Sequence, residues 1–228
     1  MAGTNRVDEL RLGLEATRER IDQACQQAGR SSNDVTVVVV TKTYPVSDVE
    51  ILQDLGVTDV GENKDQEAGP KREQMTHQGL RWHAVGQVQS NKAKTVTQWA
   101  DVVHSVDRVS LVKAFDRVVV PTPIQALVQV SLDGDPDRGG CMIADLAVVA
   151  EAVAGSSTLS LAGVMAVAPL GVEPSRAFGD LWNISQRLQG AFPQATWISA
   201  GMTQDFEAAI AAGATHVRIG SAILGNRA

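Results

Sequence analysis

Cysteine is scarce in this chain of 228 residues, which contains only Cys25 and Cys141. The two lie far apart, so they form neither the closely spaced ligand pairs of a zinc site nor a disulfide framework. Isolated thiols of this kind are typical of the reducing cytoplasm. We therefore expect a cytoplasmic protein stabilised by a hydrophobic core, which a hydrophobic content of 44% can supply.

The chain also lacks the signals of membrane proteins and nucleic-acid-binding proteins. Its first residues have no apolar core of the kind found in signal peptides, and no apolar run approaches the length of a membrane span. The formal net charge is -6 and no basic stripe stands out. Binding to nucleic acid or to an anionic membrane through bulk charge is therefore not expected.

Several catalytic motifs are missing as well. The histidines, His77, His83, His104 and His216, share no metal-ligand spacing, and we interpret each as a loop or core residue. No Gly-x-Ser-x-Gly nucleophile elbow occurs. The aspartate-rich segment 133–140 lacks the full calcium-binding pattern and is interpreted as a solvated loop. The sequence therefore predicts neither a metal site nor an activated serine.

A valine-rich segment followed by a lysine organises the rest of the chain. Five of the six residues in 35–40 are valine, a pattern typical of a strand buried on both faces in a parallel sheet. Lys42 follows, and Pro45 prevents the strand from continuing. Ligands of α/β folds bind at the carboxyl ends of such strands, so Lys42 stands where a reactive amine would be placed. A solvated lysine is the alternative at this point.

Hydrophobic periodicity predicts strands and helices that alternate along the chain. An amphipathic helix over 5–28 precedes the first strand. The predicted strands are 35–40, 57–60, 81–85, 102–106, 124–130, 161–167, 195–199 and 215–219. The predicted helices that follow them are 47–55, a polar segment ending at about 78, 91–99, 108–118, 142–154, 174–190, 204–212 and 222–227.

Strict alternation indicates a parallel sheet, and eight repeats predict a (β/α)8 TIM barrel with an additional N-terminal helix. An open doubly wound sheet is the alternative. It is disfavoured because Thr-Lys-Thr-Tyr-Pro stands where that fold usually has a glycine-rich turn after its first strand. No linker divides the chain, so we expect a single domain over residues 1–228.

In a TIM barrel the active site is built from the strand ends at one mouth. Besides Lys42, these ends carry polar and small residues: Glu62, Asn63, Gly86, Gln87, Ser105, Asp133, Met165, 199–203 and 218–221. The last two segments combine glycine with hydroxyl residues before predicted helices, a pattern typical of phosphate sites in barrels. A lysine opposite a phosphate site suggests pyridoxal 5′-phosphate held as a Schiff base.

Six segments match a known family in the family's order. They are Thr-Lys-Thr at 41–43, Gly-Glu-Asn at 61–63, Trp-His-x-x-Gly-x-x-Gln-Ser-Asn-Lys at 82–92, Gly-x-Met-Ala at 163–166, Ser-x-Gly-Met at 199–202 and Val-Arg-Ile-Gly-Ser-Ala-Ile at 217–223. On these segments the chain closely resembles the pyridoxal phosphate homeostasis proteins, which are single-domain relatives of the barrel domain of bacterial alanine racemase. The resemblance covers nearly the whole chain.

This resemblance implies roles for individual residues. Lys42 is the implied Schiff-base lysine, Arg218 faces the pyridine nitrogen, and Asn63 and Met165 lie near the ring. The residues implied to surround the phosphate are small or carry hydroxyls: Ser199, Gly201, Thr203, Gly220 and Ser221. The chain departs from the family pattern at Gln87, Ala200 and Thr203. Thr203 keeps a hydroxyl, so the departure leaves only the role of position 87 open.

The same resemblance implies binding without robust catalysis. Arginine is a permanently charged donor, so Arg218 would leave the pyridine nitrogen unprotonated and the ring a weak electron sink. Racemisation needs a second base on the opposite face, and the one tyrosine, Tyr44, lies only two residues from Lys42. We expect a monomeric protein of vitamin B6 homeostasis that buffers pyridoxal phosphate and delivers it to apo-enzymes. A weak amino-acid racemase and a barrel without cofactor are the alternatives.

Overall fold

The computed structural model describes residues 3–135 and 138–225, with side chains from Arg6 onwards. Its parallel strands form one closed barrel in sequence order, and the last strand pairs with the first. The strands are β1 (Thr36–Val40), β2 (Asp59–Glu62), β3 (Arg81–Ala84), β4 (Val102–Val106), β5 (Ile124–Gln129), β6 (Leu159–Met165), β7 (Trp197–Ser199) and β8 (His216–Ile219). The predicted (β/α)8 barrel is confirmed, and a closed sheet excludes the open doubly wound alternative.

Helices surround the barrel. They are α1 (Gly3–Gln27), α2 (Val46–Asp54), α3 (Asp65–Gln74), α4 (Ala93–Val96), α5 (Val109–Phe115), α6 (Leu146–Ala154), α7 (Pro174–Ala191), α8 (Phe206–Ala211) and α9 (Ser221–Leu224). The predicted N-terminal helix is α1, which packs closely on α9: a Cβ atom at Gly13 would lie 2.6 Å from the carbonyl oxygen of Ile223. None of the described helices is both long enough and apolar enough to cross a membrane.

The second strand is one of the elements whose boundaries differ from the predictions. It was predicted over 57–60, but β2 continues to Glu62 because Gly61 pairs with both Val40 and His83 in the ladder. The predicted helix 91–99 is a short 3-10 turn, Ser90–Lys92, followed by α4. The last helix begins at Ser221, one residue earlier than predicted, and residues 226–227 of the predicted tail lie outside the described residues.

Two kinds of interior result from this closure. Most apolar side chains, including the buried and unpaired Cys25 and Cys141, fill the layer between the strands and the surrounding helices. Inside the barrel a small apolar cluster of Val102, Leu127 and Met165 forms a separate core. Several polar side chains are also buried in the strands, and such groups require partners because water cannot reach them.

Candidate functional site

Lys42 lies directly beyond the C-terminal end of β1, at the mouth where all parallel strands end. Its side chain is exposed. Within the described residues, its amine has neither a hydrogen-bond partner nor an ion-pair partner. A lysine without a partner at this position is free to react with a ligand that enters the mouth.

The backbone on both sides of Lys42 is held by side chains of α3. Lys71 Nζ donates to the carbonyl oxygen of Thr41 at 2.9 Å, and Glu67 Oε2 accepts from the amide nitrogen of Thr43 at 3.0 Å. Thr43 has a φ of 70°, which is rare for a β-branched residue. Such a conformation persists only where the surroundings enforce it, and it is commonest at functional sites. The backbone that carries Lys42 is therefore held in place before any ligand binds.

A buried ion pair connects α3 to the strands beneath Lys42. Lys71 Nζ lies 2.6 Å from Glu62 Oε1, which also accepts from Thr41 Oγ1 at 2.8 Å. Burial raises the pKa of the Glu62 carboxyl, and the hydrogen bond and charge of Lys71 oppose that rise. Sequence reasoning missed Glu67 and Lys71 because α3 reads as an ordinary polar helix. Their four-residue spacing, which puts them on one helix face, was the available signal.

Two loops that follow β7 and β8 converge on one side of the mouth. Ser221 Oγ donates to Thr203 Oγ1 at 3.3 Å. Gly201 has a φ of +89°, and a Cβ atom there would lie 2.7 Å from the Cα atom of Phe206. A Cβ atom at Gly220 would lie 3.2 Å from the carbonyl oxygen of Val40. The structure thus brings the predicted phosphate residues Gly201, Thr203, Gly220 and Ser221 together, and close backbone packing requires glycine at position 201.

Arg218 is a buried cation at the base of the mouth, with 6% of its surface exposed. Its Nη1 donates to Ser199 Oγ at 2.5 Å, and its Nη2 donates to the carbonyl oxygen of Ala166 at 3.1 Å. No carboxylate of the described ranges forms an ion pair with it, and burial lowers its pKa to about 10. A guanidinium has five N–H donors. A ligand with an acceptor atom above Arg218 could therefore receive a further hydrogen bond from this guanidinium, which has no carboxylate partner among the described residues.

Ser199 is fully buried in the barrel interior. Besides its contact with Arg218, its hydroxyl lies 2.9 Å from His104 Nδ1. Contact between Ser199 and a phosphate stays a prediction, and these two interactions favour a role in holding Arg218 instead.

Asn63 and Met165 lie at different depths. Asn63 is exposed at the end of β2 and packs on Gly86, where a Cβ atom would lie 2.1 Å from Asn63 Oδ1. It lines a cavity of about 240 Å³ together with Gln87 and other residues. Met165 is buried in the barrel beside Val102. The mouth therefore presents Asn63 directly, whereas Met165 forms part of the floor.

A larger cavity of about 690 Å³ opens at the opposite end of the barrel, among the residues where strands begin. Its charged lining is already engaged, since Arg72 forms an ion pair with Asp101 at 3.1 Å. Trp197 lies beneath Arg81 there. The free amine, the guanidinium without a carboxylate partner in the described ranges and the converging hydroxyls all lie at the other end of the barrel. We therefore place the functional site at the C-terminal mouth, although the cavity of about 240 Å³ there is lined by Asn63 and not by Lys42 or Arg218.

Sequence reasoning also missed a set of polar residues below the mouth. His83 and His104 are completely buried inside the barrel, and Asp59 lies at the start of β2. Both histidines were expected to be loop or core residues; both lie in the core, and their partners were not predicted. Alternation along β3 and β4 was the available signal, because it places both side chains on the inward face.

Comparisons with known proteins agree with this geometry. A family model described as alanine racemase, N-terminal domain, matches residues 12–228. A protein from Mycobacterium leprae named pyridoxal phosphate homeostasis protein is 39% identical over 241 residues, covering 97% of this chain and 94% of the relative. A protein of the same name from Escherichia coli (strain K12) is 33% identical over 229 residues, covering 97% and 98%.

A solved structure extends the comparison. PipY of Synechococcus elongatus PCC7942 with PLP bound has a TM-score of 0.79 at 28% identity, covering 90% of this chain and 100% of that chain. The resemblance inferred from the six sequence segments is confirmed. The chain belongs to the family of the alanine racemase N-terminal domain and, within it, to the pyridoxal phosphate homeostasis proteins.

Proposed function

We propose that this protein binds pyridoxal 5′-phosphate at the barrel mouth and holds it as a Schiff base on Lys42. In this proposal it buffers and delivers the cofactor in intracellular vitamin B6 homeostasis. The observation that carries the proposal is the convergence of a partner-free amine, an unmatched buried guanidinium and a pair of loop hydroxyls on one mouth. When bound, the cofactor supplies an aldehyde that condenses with an amine and releases water.

The chemistry of the donors fits the proposed ligand. Arg218 can donate to a ring nitrogen, which is an acceptor when unprotonated. Gly201 and Gly220 keep side chains away from the loops, and Thr203 and Ser221 offer hydroxyls to a phosphate. Asn63 would contact the ring edge, Met165 would lie below the ring, and Ser199 would hold Arg218.

The ladder between β1 and β8 supports the relative placement of amine and guanidinium. Val38 pairs with Arg218, and Lys42 comes four residues after Val38 in the direction of the mouth. β1 continues two residues beyond Val38, to Val40, and Lys42 stands in the turn that follows, so the amine is attached to the chain above the level of Arg218. A flat aromatic ligand bound between these levels could meet the amine at one side and the guanidinium at the other.

The environment of Tyr44 favours binding over racemisation. Its hydroxyl donates to the carbonyl oxygen of Gly225 at 2.7 Å, and its ring lies near the guanidinium of Arg6. A tyrosine engaged in this way is not positioned as a base above a ligand on Lys42. We propose further that the protein is a cytoplasmic monomer and that apo-enzymes requiring the cofactor are its partners.

Titration of the ligand-free protein with pyridoxal phosphate tests the proposal. We expect saturable binding with a new visible absorption band, and a colourless protein that takes up no cofactor would contradict it. Incubation of the loaded protein with L-alanine in deuterated water tests the racemase alternative. Retention of the α-proton supports a binding protein, whereas solvent deuterium at the α-carbon would favour the racemase.

A further inference from the structure

Five buried side chains form a continuous line of hydrogen bonds through the barrel interior. The line runs from Asp59, the first residue of β2, to Arg218 at the base of the mouth, and its members are Asp59, His83, His104, Ser199 and Arg218. We call these five residues the relay. Consecutive polar atoms lie 2.9, 2.8, 2.9 and 2.5 Å apart. The relay is therefore uninterrupted from one end of the barrel towards the other.

The direction of every hydrogen bond in the relay follows from its Asp59 end. An ionised carboxylate only accepts, so His83 Nε2 must carry a proton and donate to Asp59 Oδ1. A neutral His83 then accepts at Nδ1, which requires a proton on His104 Nε2. A neutral His104 accepts at Nδ1 from the Ser199 hydroxyl, whose oxygen remains free to accept from Arg218.

The surroundings of Asp59 and of the histidines agree with this assignment. Burial alone would raise the pKa of Asp59, but hydrogen bonds from His83 and Thr58 outweigh burial, and the pKa is lowered. Burial lowers the pKa of His83 and lowers that of His104 well below its usual value. The relay thus has a carboxylate at one end, a guanidinium at the other and two neutral imidazoles between them.

We propose that Asp59, His83 and His104 are positioning residues for Arg218. Through Ser199 they hold one N–H group of the Arg218 guanidinium in a fixed direction. Their hydrogen bonds also connect the carboxylate of Asp59, at the far end of the barrel, to this guanidinium, which has no adjacent carboxylate among the described residues. Aligned hydrogen bonds in a region shielded from water polarise one another in the same sense, which strengthens this effect. What Arg218 faces above the relay rests on the proposed function, but the relay itself does not.

The first test uses the ligand-free protein and is independent of any cofactor. Nitrogen-15 NMR of the imidazoles distinguishes the two neutral tautomers and the charged form. We expect His83 and His104 each to carry a single proton on Nε2 at pH 7. A proton on Nδ1 of either ring, or a doubly protonated ring, would overturn the assigned direction. Single substitutions of the other histidines, His77 and His216, assign the signals.

The second test asks whether the relay acts on Arg218. Glutamine can replace His104 in function, because its amide oxygen can accept from Ser199 and its amide N–H can donate to His83. Leucine can do neither. We expect His104→Leu to weaken pyridoxal phosphate binding by about tenfold and to shift the visible absorption band. His104→Gln should restore most of the affinity and the band position.

Asp116→Asn is the matched control, since Asp116 follows α5 at the end of the barrel where the strands begin and accepts from Ser156 outside the relay. It should leave affinity and absorption band unchanged, whereas Asp59→Asn should alter both. Wild-type affinity and band position in a folded His104→Leu variant would overturn the positioning role. Equal loss in the glutamine and leucine variants would do the same. If the wild-type protein binds no cofactor, the proposed function fails. The NMR measurement of the His83 and His104 tautomers then tests the relay by itself.

Discussion

Lys42 has its position because neighbouring side chains hold the backbone on either side of it. Lys71 and Glu67 bind the carbonyl of Thr41 and the amide of Thr43, and Thr43 adopts a positive φ under this restraint. The cost of that conformation, about 1–3 kcal/mol, is offset by the surrounding contacts. A reactive amine on such a backbone requires little reorganisation when a ligand binds.

Removal of Lys71 should be far more damaging than removal of an exposed cation. In Lys71→Met the carboxylate of Glu62, which is completely buried, loses its charged partner. We expect the free energy of unfolding to fall by about 3–5 kcal/mol. Arg11→Met is the control, because Arg11 pairs with Asp8 and Glu15 at the surface, where solvent screens the charges, and its loss should leave the denaturation midpoint nearly unchanged. Urea denaturation measures both, and equal losses would refute the structural role of the pair.

The β/α repeats show which parts of the fold can be read from the sequence. The valines of β1 and the alternation of apolar segments predict the barrel because hydrophobic periodicity is a local property. The end of β2 was not predicted, since Gly61 and Glu62 look like a loop until their partners on β1 and α3 are known. The relay was hidden for the same reason: strand register, which pairs Gly61 with His83, determines which inward side chains meet.

Close packing between β6 and β7 predicts a strong effect at Gly163. A Cβ atom there would lie 1.9 Å from the carbonyl oxygen of Trp197, which is backbone and cannot move aside easily. We expect Gly163→Ala to destabilise the protein by more than about 3 kcal/mol or to prevent folding. Gly179→Ala in α7 is the control, because a Cβ atom there meets nothing within 4 Å and should stabilise the helix by up to about 1 kcal/mol. Thermal unfolding followed by circular dichroism distinguishes the two, and similar melting temperatures would contradict the packing argument.

The protein as a whole carries three buried histidines inside one barrel, His83, His104 and His216, and their ring centroids lie 5.1 to 6.4 Å apart. Burial lowers the pKa of all three, and that of His216 falls to about 3 from a usual value of 6.5. Protonation of any one of them places a charge in the interior. The histidines therefore make the stability of the barrel depend on pH.

The sign of this dependence follows from the lowered pKa of His216. Between pH 6.5 and about 3 the unfolded chain binds a proton that the folded barrel does not, so stability is complete above pH 6.5 and is lost as the pH falls. The loss is up to about 1.4 kcal/mol per pH unit for each such histidine.

Denaturation midpoints between pH 7.5 and pH 4.5 should fall more steeply for the wild type than for His216→Gln. His77→Gln, which alters an exposed residue, should keep the wild-type slope. Identical slopes in all three proteins would contradict the account.

In the proposed function, the mouth of this barrel holds pyridoxal phosphate on Lys42. The most direct measurement is borohydride reduction of the protein mixed with pyridoxal phosphate, followed by proteolysis and mass mapping, with Lys92 as an internal comparison because it pairs with Asp65 near the mouth. We expect a stable adduct on the peptide that contains Lys42 and loss of that adduct in Lys42→Ala. An adduct on Lys92 or distributed over surface lysines, with none on Lys42, would contradict it.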